Sequence, residues 1–224
     1  MSERIVVLAV TKMLSGMCTA GISLSTGKWV RPVKEFGVIR LGDITYRDRT
    51  VMQPFDIVDL SVSKPLPRPP HIEDWVCDFT RARPIRVGNL EDRLAFMEKY
   101  SEPQYINDIL TPTRSLLLFE PKNPEAQFTM DPYSGKYEAR LKIPEMGSRS
   151  LPVTDIKWRA LGRRIIGKDE CLSLGLDEIR AKLNIKRVFV ALGLGRLYEG
   201  KHWPLVVGVH TWPDYESTID YDDM

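Results

Sequence analysis

Residues 5–33 read IVVLAVTKMLSGMCTAGISLSTGKWVRPV. Three apolar, β-branched stretches, 5–10, 18–24 and 28–33, are separated by small and turn-forming residues. That is the pattern of consecutive antiparallel strands, with no helix between them. Ser25-Thr26-Gly27 supplies a tight turn with a glycine able to take positive φ, so the second and third stretches are expected to pair as a hairpin. A fourth stretch, 55–62, continues the meander.

Outward from this block, Pro65-Leu66-Pro67-Arg68-Pro69-Pro70 cannot be a central strand, because four prolines remove four ladder donors; the strand series is expected to stop there. Leu90, Leu94 and Met97 then recur at helical spacing behind Asn89, which is read as an N-cap. From Ser115 the strand pattern resumes over 115–119, 137–143 and 153–161. Leu176, Ile179 and Leu183 predict a helix that stops at Asn184, and the apolar runs 187–194 and 205–211 predict a closing hairpin. The resulting fold class is mainly β: two tandem barrels with a few short helices. The first barrel takes 1–85, a helical linker region 86–114, the second barrel 115–213 and an acidic tail 214–224. A doubly wound α/β fold is disfavoured, since it needs a helix after nearly every strand.

The 224 residues are 43% hydrophobic and 28% charged, the composition of an ordinary folded protein. The most apolar uncharged runs, 188–195 and 203–213, are too short for a bilayer span of about 20 residues, so no membrane partner is expected. The six apolar residues near the N-terminus lack a cleavage site, and three widely spaced cysteines suit a reducing compartment; the expected location is cytoplasmic. Thirty-two Lys and Arg against thirty Asp and Glu give +2 overall. The charges are unevenly spread: 140–168 holds eight basic and two acidic residues, while 214–224 holds five acidic and no basic ones. The tail is read as a solubilising end, with a second reading in which it folds over the basic strip and competes with nucleic acid.

The chain carries no phosphate loop, nucleophile elbow, His-Glu-x-x-His or paired Cys-x-x-Cys, and it implies no cofactor. Gly193-Leu194-Gly195 lacks the third glycine and the following helix of a dinucleotide site, so it is read as a bulge or a close backbone contact. Three clusters remain. In Pro69-Pro70-His71-Ile72-Glu73-Asp74-Trp75, His71, Glu73 and Asp74 can serve as metal ligands, as an acid/base set or as a polar clamp beside Trp75; the plainer reading has His71 and Asp74 capping the next segment and Trp75 as a buried anchor. A metal or enzymatic site there needs further groups from far along the chain, His210 first among them; His210 by itself reads as a satisfied core histidine. In Lys28-Trp29-Val30-Arg31-Pro32, strand alternation puts Trp29 and Arg31 on one face, near Thr11 and Lys12 at the end of the first strand, as barrels do when they stack bases and hold phosphates. In Lys157-Trp158-Arg159, strand alternation again places Lys157 and Arg159 together, an anion-binding strip or simply solvated charge.

Leu8 to Lys12, Cys18-Thr19-Ala20-Gly21-Ile22 leading to Gly27-Lys28-Trp29-Val30-Arg31-Pro32, the terminal Gly208-Val209-His210-Thr211 and above all Pro70-His71-Ile72-Glu73-Asp74-Trp75 resemble the dual OB-containing domain family. The resemblance implies two OB-like barrels in tandem and supplies no reaction. The functional expectation is a non-enzymatic nucleic-acid-binding protein, for single-stranded or structured RNA ahead of duplex DNA. Trp29 stacks, Thr11, Lys12, Arg31, Lys157 and Arg159 meet the backbone, and Trp75 extends the platform. The alternatives are an enzyme or small-ligand site on His71, Glu73, Asp74 and His210, and a protein-interaction module.

Overall fold

The computed structural model describes residues 2–13, 15–79, 83–167, 170–217, 219 and 221. The chain divides into two compact units, Met1–Phe96 with Thr113–Ser115, and Met97–Pro112 with Leu116–Met224.

The first unit contains β1 (Ser2–Met13), β2 (Gly16–Ser23), β3 (Trp29–Val33), β4 (Asp56–Pro65), β5 (Asp74–Cys77) and β6 (Ile85–Asn89). Neighbours run β1-β2-β3-β5-β4, and β4 returns to β1 from Ser2↔Ser61 to Val6↔Ile57. Five strands therefore close into a barrel, which leaves no free edge among them. β3 and β5 are parallel, and the other pairs are antiparallel. This is a small Greek-key barrel of the OB type. The β2–β3 hairpin forms as read from the sequence, with Gly27 at φ 67°. Gly21 sits where a methyl group would overlap the Val6 carbonyl oxygen, so β1 and β2 approach only with glycine there.

Two expectations change. The proline run does not end the strand series: Pro65 closes β4, and residues 66–73 turn the chain back into β5, which pairs with β4. The stretch 86–96, assigned to a linker, instead contributes β6 on the outer side of β4 and the start of a helix, α1 (Arg93–Tyr100). Asn89 does not cap that helix. It ends β6 opposite Asp56, and the Asp92 carboxylate accepts the Ala95 N–H at 3.0 Å instead.

The second unit continues with α2 (Ile106–Leu110), β7 (Leu116–Phe119), β8 (Glu125–Met130), β9 (Tyr137–Lys142), β10 (Ser150–Pro152), α3 (Ile156–Ile166), β11 (Cys171–Leu174), α4 (Leu176–Leu183), β12 (Arg187–Tyr198) and β13 (Lys201–Trp212). One sheet runs β10-β9-β8-β11 and another β13-β12-β7. They meet just after β10, where Val153 bridges Val206 in parallel and the Thr154 N–H donates to the Val206 carbonyl at 2.8 Å. α4 stops at Asn184, which takes the left-handed conformation.

The sequence reading of 153–161 as a strand is corrected: 156–166 is α3. Asp155 caps it, accepting the Lys157 and Trp158 N–H groups. Trp158, Leu161, Gly162, Ile165 and Ile166 recur at the spacing of one helix face. That period spans the whole helix, whereas the alternation Lys157-Trp158-Arg159 lasts only three residues. Trp158 is 1% exposed, 5.9 Å from the Phe128 ring and edge-on to Tyr215 at 5.4 Å. A methyl group on Gly162 would overlap the Tyr137 hydroxyl and the Phe128 ring, so the helix lies flush on β8 and β9.

The start of the tail is likewise corrected from a solvated end. Asp214 pairs with Lys157 at 2.8 Å, Tyr215 is 3% exposed, and the Glu216 carbonyl accepts the Arg164 guanidinium at 2.8 Å. Lys168 of the basic run and Asp220, Asp222 and Asp223 of the tail lie outside the described residues.

Candidate functional site

The Pro-His-x-Glu-Asp-Trp segment enters β5 beside β3, in a register that sets Asp74 opposite Arg31 and Trp75 opposite Pro32. Neighbours in register share a face, so Arg31 meets Asp74: Nε reaches Oδ1 at 2.6 Å and Nη2 reaches Oδ2 at 2.9 Å. Both side chains are largely withdrawn from water, at 18% and 10% exposure. Burial acts to lower the Arg31 pKa, but hydrogen bonding and attraction from Asp74 outweigh it and leave the guanidinium raised and firmly charged. The Arg31 N–H also donates to the Glu73 carbonyl at 2.8 Å.

Glu73 turns its carboxylate inward, where Ser115 Oγ donates to Oε1. The same hydroxyl lies 2.8 Å from His71 Nδ1. Burial holds the Glu73 carboxyl above its usual range, and the Ser115 hydrogen bond pulls the other way. Ser115 is 1% exposed and has one proton to give. A hydroxyl buried between a carboxylate and an imidazole is a joint, closing residues 113–115 onto the first unit, and has none of the access an attacking nucleophile needs. The most distinctive motif in the sequence thus clamps the barrel: Asp74 holds β3, while Glu73 and His71 hold the returning chain.

Around this clamp, β3 alternates: Val30 and Pro32 are buried, while Trp29, Arg31 and Val33 are half-buried on the outer face. Trp29 and Arg31 therefore share a wall as read from the sequence, but Arg31 is neutralised there by Asp74. Trp75 does not extend the wall; opposite Pro32, it takes the other face, a consequence of the two-residue strand period. Thr11 is 4% exposed and its hydroxyl donates to the Cys18 carbonyl at 3.3 Å, which places it in the β1–β2 pair. Lys12 and Lys28 are exposed and make no ion pair among the described residues.

In the second unit, Lys157 and Arg159 lie two residues apart on a helix, which turns them to different sides. Lys157 reaches Asp214 and covers the Tyr215 ring at 4.4 Å; Arg159 donates to the Val153 and Tyr137 carbonyls, each at 3.4 Å, and covers the Tyr137 ring at 5.1 Å. The anion strip drawn from strand alternation is not formed, and both cations brace α3. His210 is 2% exposed on β13 opposite Phe189, and belongs to a different unit from His71. Gly193 lies within β12, where a methyl group would come 2.7 Å from Val207 Cγ1, so the crowding there comes from a side chain rather than from backbone, while the β12–β13 register shifts between Leu194 and Leu197, next to Gly195. Among the described residues, no group of three or more His, Cys, Asp or Glu is placed to hold a metal ion, and no helix is long and apolar enough to cross a membrane.

Two features escaped the sequence. Ser115 stands 42 and 44 residues from Glu73 and His71, and a lone serine at a strand start carries no signal of either. Tyr46 donates to buried Asp56 at 2.8 Å, an acceptor that also takes the Gln53 N–H at 2.9 Å, within a connection that reads only as loop.

A closed five-strand barrel with a parallel third–fifth pair, followed by a second unit repeating that strand logic, defines a tandem OB-type protein. The chain belongs to the dual OB-containing domain family, whose model matches residues 3–209. No curated protein and no solved structure matches it.

Proposed function

We propose that the protein binds single-stranded or structured nucleic acid along the outer wall of its first barrel. The observation that carries this reading is Trp29, on the outer face of β3, in a closed OB-type barrel and next to the exposed Lys28. OB barrels use the wall around their second and third strands for oligonucleotides, and an indole accepts any base by stacking. Charge supports the same unit: the first unit has fifteen Lys and Arg against eleven Asp and Glu, whereas the second has seventeen against nineteen. Lys12, Lys28, Arg40, Arg47, Arg49 and Arg68 are exposed and outside any ion pair among the described residues, which leaves them to phosphate. Arg31 serves the clamp instead. A cytoplasmic location, suited to three cysteines that form no disulfide with one another, is part of this proposal.

The test is a titration of the full chain with a labelled single-stranded oligonucleotide across salt. Each phosphate contact contributes a slope of about −0.7 in log affinity against log salt. A steep fall is expected, made shallower by Lys12→Glu and Lys28→Glu, and Trp29→Ala should weaken binding by about 1–3 kcal/mol at every salt concentration. A flat salt response in the parent protein would overturn the reading.

A further inference from the structure

β12 and β13 outrun the rest of their sheet. β7 pairs with β12 only from Val190 to Gly193, yet the two long strands stay paired as far as Tyr198↔Lys201. Beyond Gly193 they form a two-stranded arm. Its turn is Glu199-Gly200, both at positive φ (51° and 74°), the primed geometry that suits a two-residue hairpin. Isolated two-stranded ribbons are marginal in water. This one is held by its own contacts: His202 Nδ1 lies 2.8 Å from the Gly195 carbonyl oxygen, and Trp203 Nε1 donates to the Tyr198 carbonyl at 3.3 Å.

The arm displays what a folded protein ordinarily hides. Leu197 and Tyr198 are each 64% exposed and Trp203 is 40% exposed. Lys201 stands directly across from Tyr198, and Trp203, two residues further along the strand, shares their face. The Arg149 guanidinium sits 5.2 Å over the Trp203 ring. One side of the arm therefore carries two aromatic rings, Tyr198 and Trp203, interleaved with two cations, Lys201 and Arg149; Arg196 lies alongside, and Glu199 is the arm's one acidic residue.

We infer that this arm is a second contact for single-stranded nucleic acid. Bases stack on Tyr198 and Trp203, and Lys201, Arg149 and Arg196 take the phosphates. An apolar protein partner would not call for three cations around the rings, and a membrane surface would not call for a rigid hairpin whose ring edges are tied to its own backbone; alternating rings and cations match the alternating bases and phosphates of an unpaired strand. The inference rests on the nucleic-acid reading of the protein and adds a site on the second unit.

The experiment uses the full chain and a fluorescein-labelled oligothymidylate or oligouridylate of about 20 nucleotides at low salt, long enough for more than one stacking platform. Two arm variants, Tyr198→Ala with Trp203→Ala and Arg196→Glu with Lys201→Glu, are compared with Trp29→Ala. The replaced side chains, Arg196, Tyr198, Lys201 and Trp203, are all exposed, so the global unfolding transitions should match the parent's, and the charge variant leaves the His202 and Trp203 contacts of the arm in place. Each arm variant is expected to bind about tenfold more weakly, the charge variant also with a shallower salt dependence. Parent-like affinity in both arm variants, with Trp29→Ala weakened, overturns the arm while sparing the first barrel, and leaves the exposed rings to a protein partner. No binding by the parent chain overturns the nucleic-acid reading and the arm with it.

Discussion

The two units run the same strand logic and part at one seam. In the first, a three-strand meander is followed by a hairpin whose second strand lies parallel to the third, and β1 then pairs with β4 to close the ring. In the second, β8-β9-β10 repeats the meander, β12-β13 the hairpin, and Val153↔Val206 the parallel contact. Yet among the described residues no ladder joins β8 to β12: β8 takes β11 and β12 takes β7 instead. The first unit is closed by backbone hydrogen bonds. The second is held by side-chain packing: the apolar face of α3 lies on β8 and β9, and its Trp158 is a plug set between Phe128 and Tyr215. A ring of strands can thus be traded for a plug of side chains, and the helix cations that would otherwise face solvent then become part of the packing.

That contrast fails most visibly if the plug is expendable. Trp158→Ala removes a fully buried indole, and the change should cost about 3–5 kcal/mol. Native-state hydrogen exchange should show the loss in 97–112 and 116–217, with the β1–β4 ladder keeping its protection. Equal loss in both units would show that α3 does not do for the second what the ladder does for the first.

The first unit has its own side-chain element in the Arg31–Asp74 pair, and the next largest effect sharpens its role. Arg31→Met leaves the Asp74 carboxylate withdrawn from water beside no cation, which should cost about 3 kcal/mol by urea denaturation. Adding Asp74→Leu should recover most of it, because an apolar pair of similar volume does not carry the desolvation penalty. The same Arg31→Met protein should keep the parent's salt slope for nucleic acid, since a charge already neutralised releases no counterion. A shallower slope would return Arg31 to the binding face.

How far these features are legible in the sequence follows the range of the interactions. β1 to β4 and the β12–β13 hairpin are written in local periodicity and turn residues, and they stand where residues 5–33, 55–62, 187–194 and 205–211 put them. β5 was hidden by its own chemistry: Glu73, Asp74 and Trp75 read as a site because polar residues in a strand are legible only once their partners, Arg31 and Ser115, are known to be neighbours. α3 was within reach, with Asp155 as cap and a helical period over eleven residues, but a three-residue alternation of cation, indole and cation masked it. The outer placement of Trp29 was readable from alternation alone; the neutralisation of Arg31 and the opposite face of Trp75 depend on a parallel register that no local pattern encodes. Ser115 has no local signature, because a hydroxyl acquires meaning only from the groups that meet it.

The smallest effect separates the units by pH. Asp155 is 1% exposed, caps α3 and also accepts the Val209 N–H at 2.8 Å, so one carboxylate ties the plug to β13. Burial lifts its pKa from 3.8 to about 6 against the pull of those hydrogen bonds. The folded state then holds a proton more tightly than the unfolded chain. The corresponding stability is fully present below pH 3.8 and is lost as pH rises through 6. From pH 4 to pH 7 this amounts to about 2 kcal/mol, borne by the second unit. Other carboxylates titrate over the same range, so the quantity to measure is the difference in pH slope between the parent and Asp155→Asn. The variant keeps a capping side chain, gives up the titration and loses the Val209 contact. It should be less stable than the parent at pH 4 and close that gap toward pH 7. Parallel pH profiles would mean that the Asp155 carboxylate is accommodated as an anion, with the hydrogen bonds to Lys157, Trp158 and Val209 outweighing its burial.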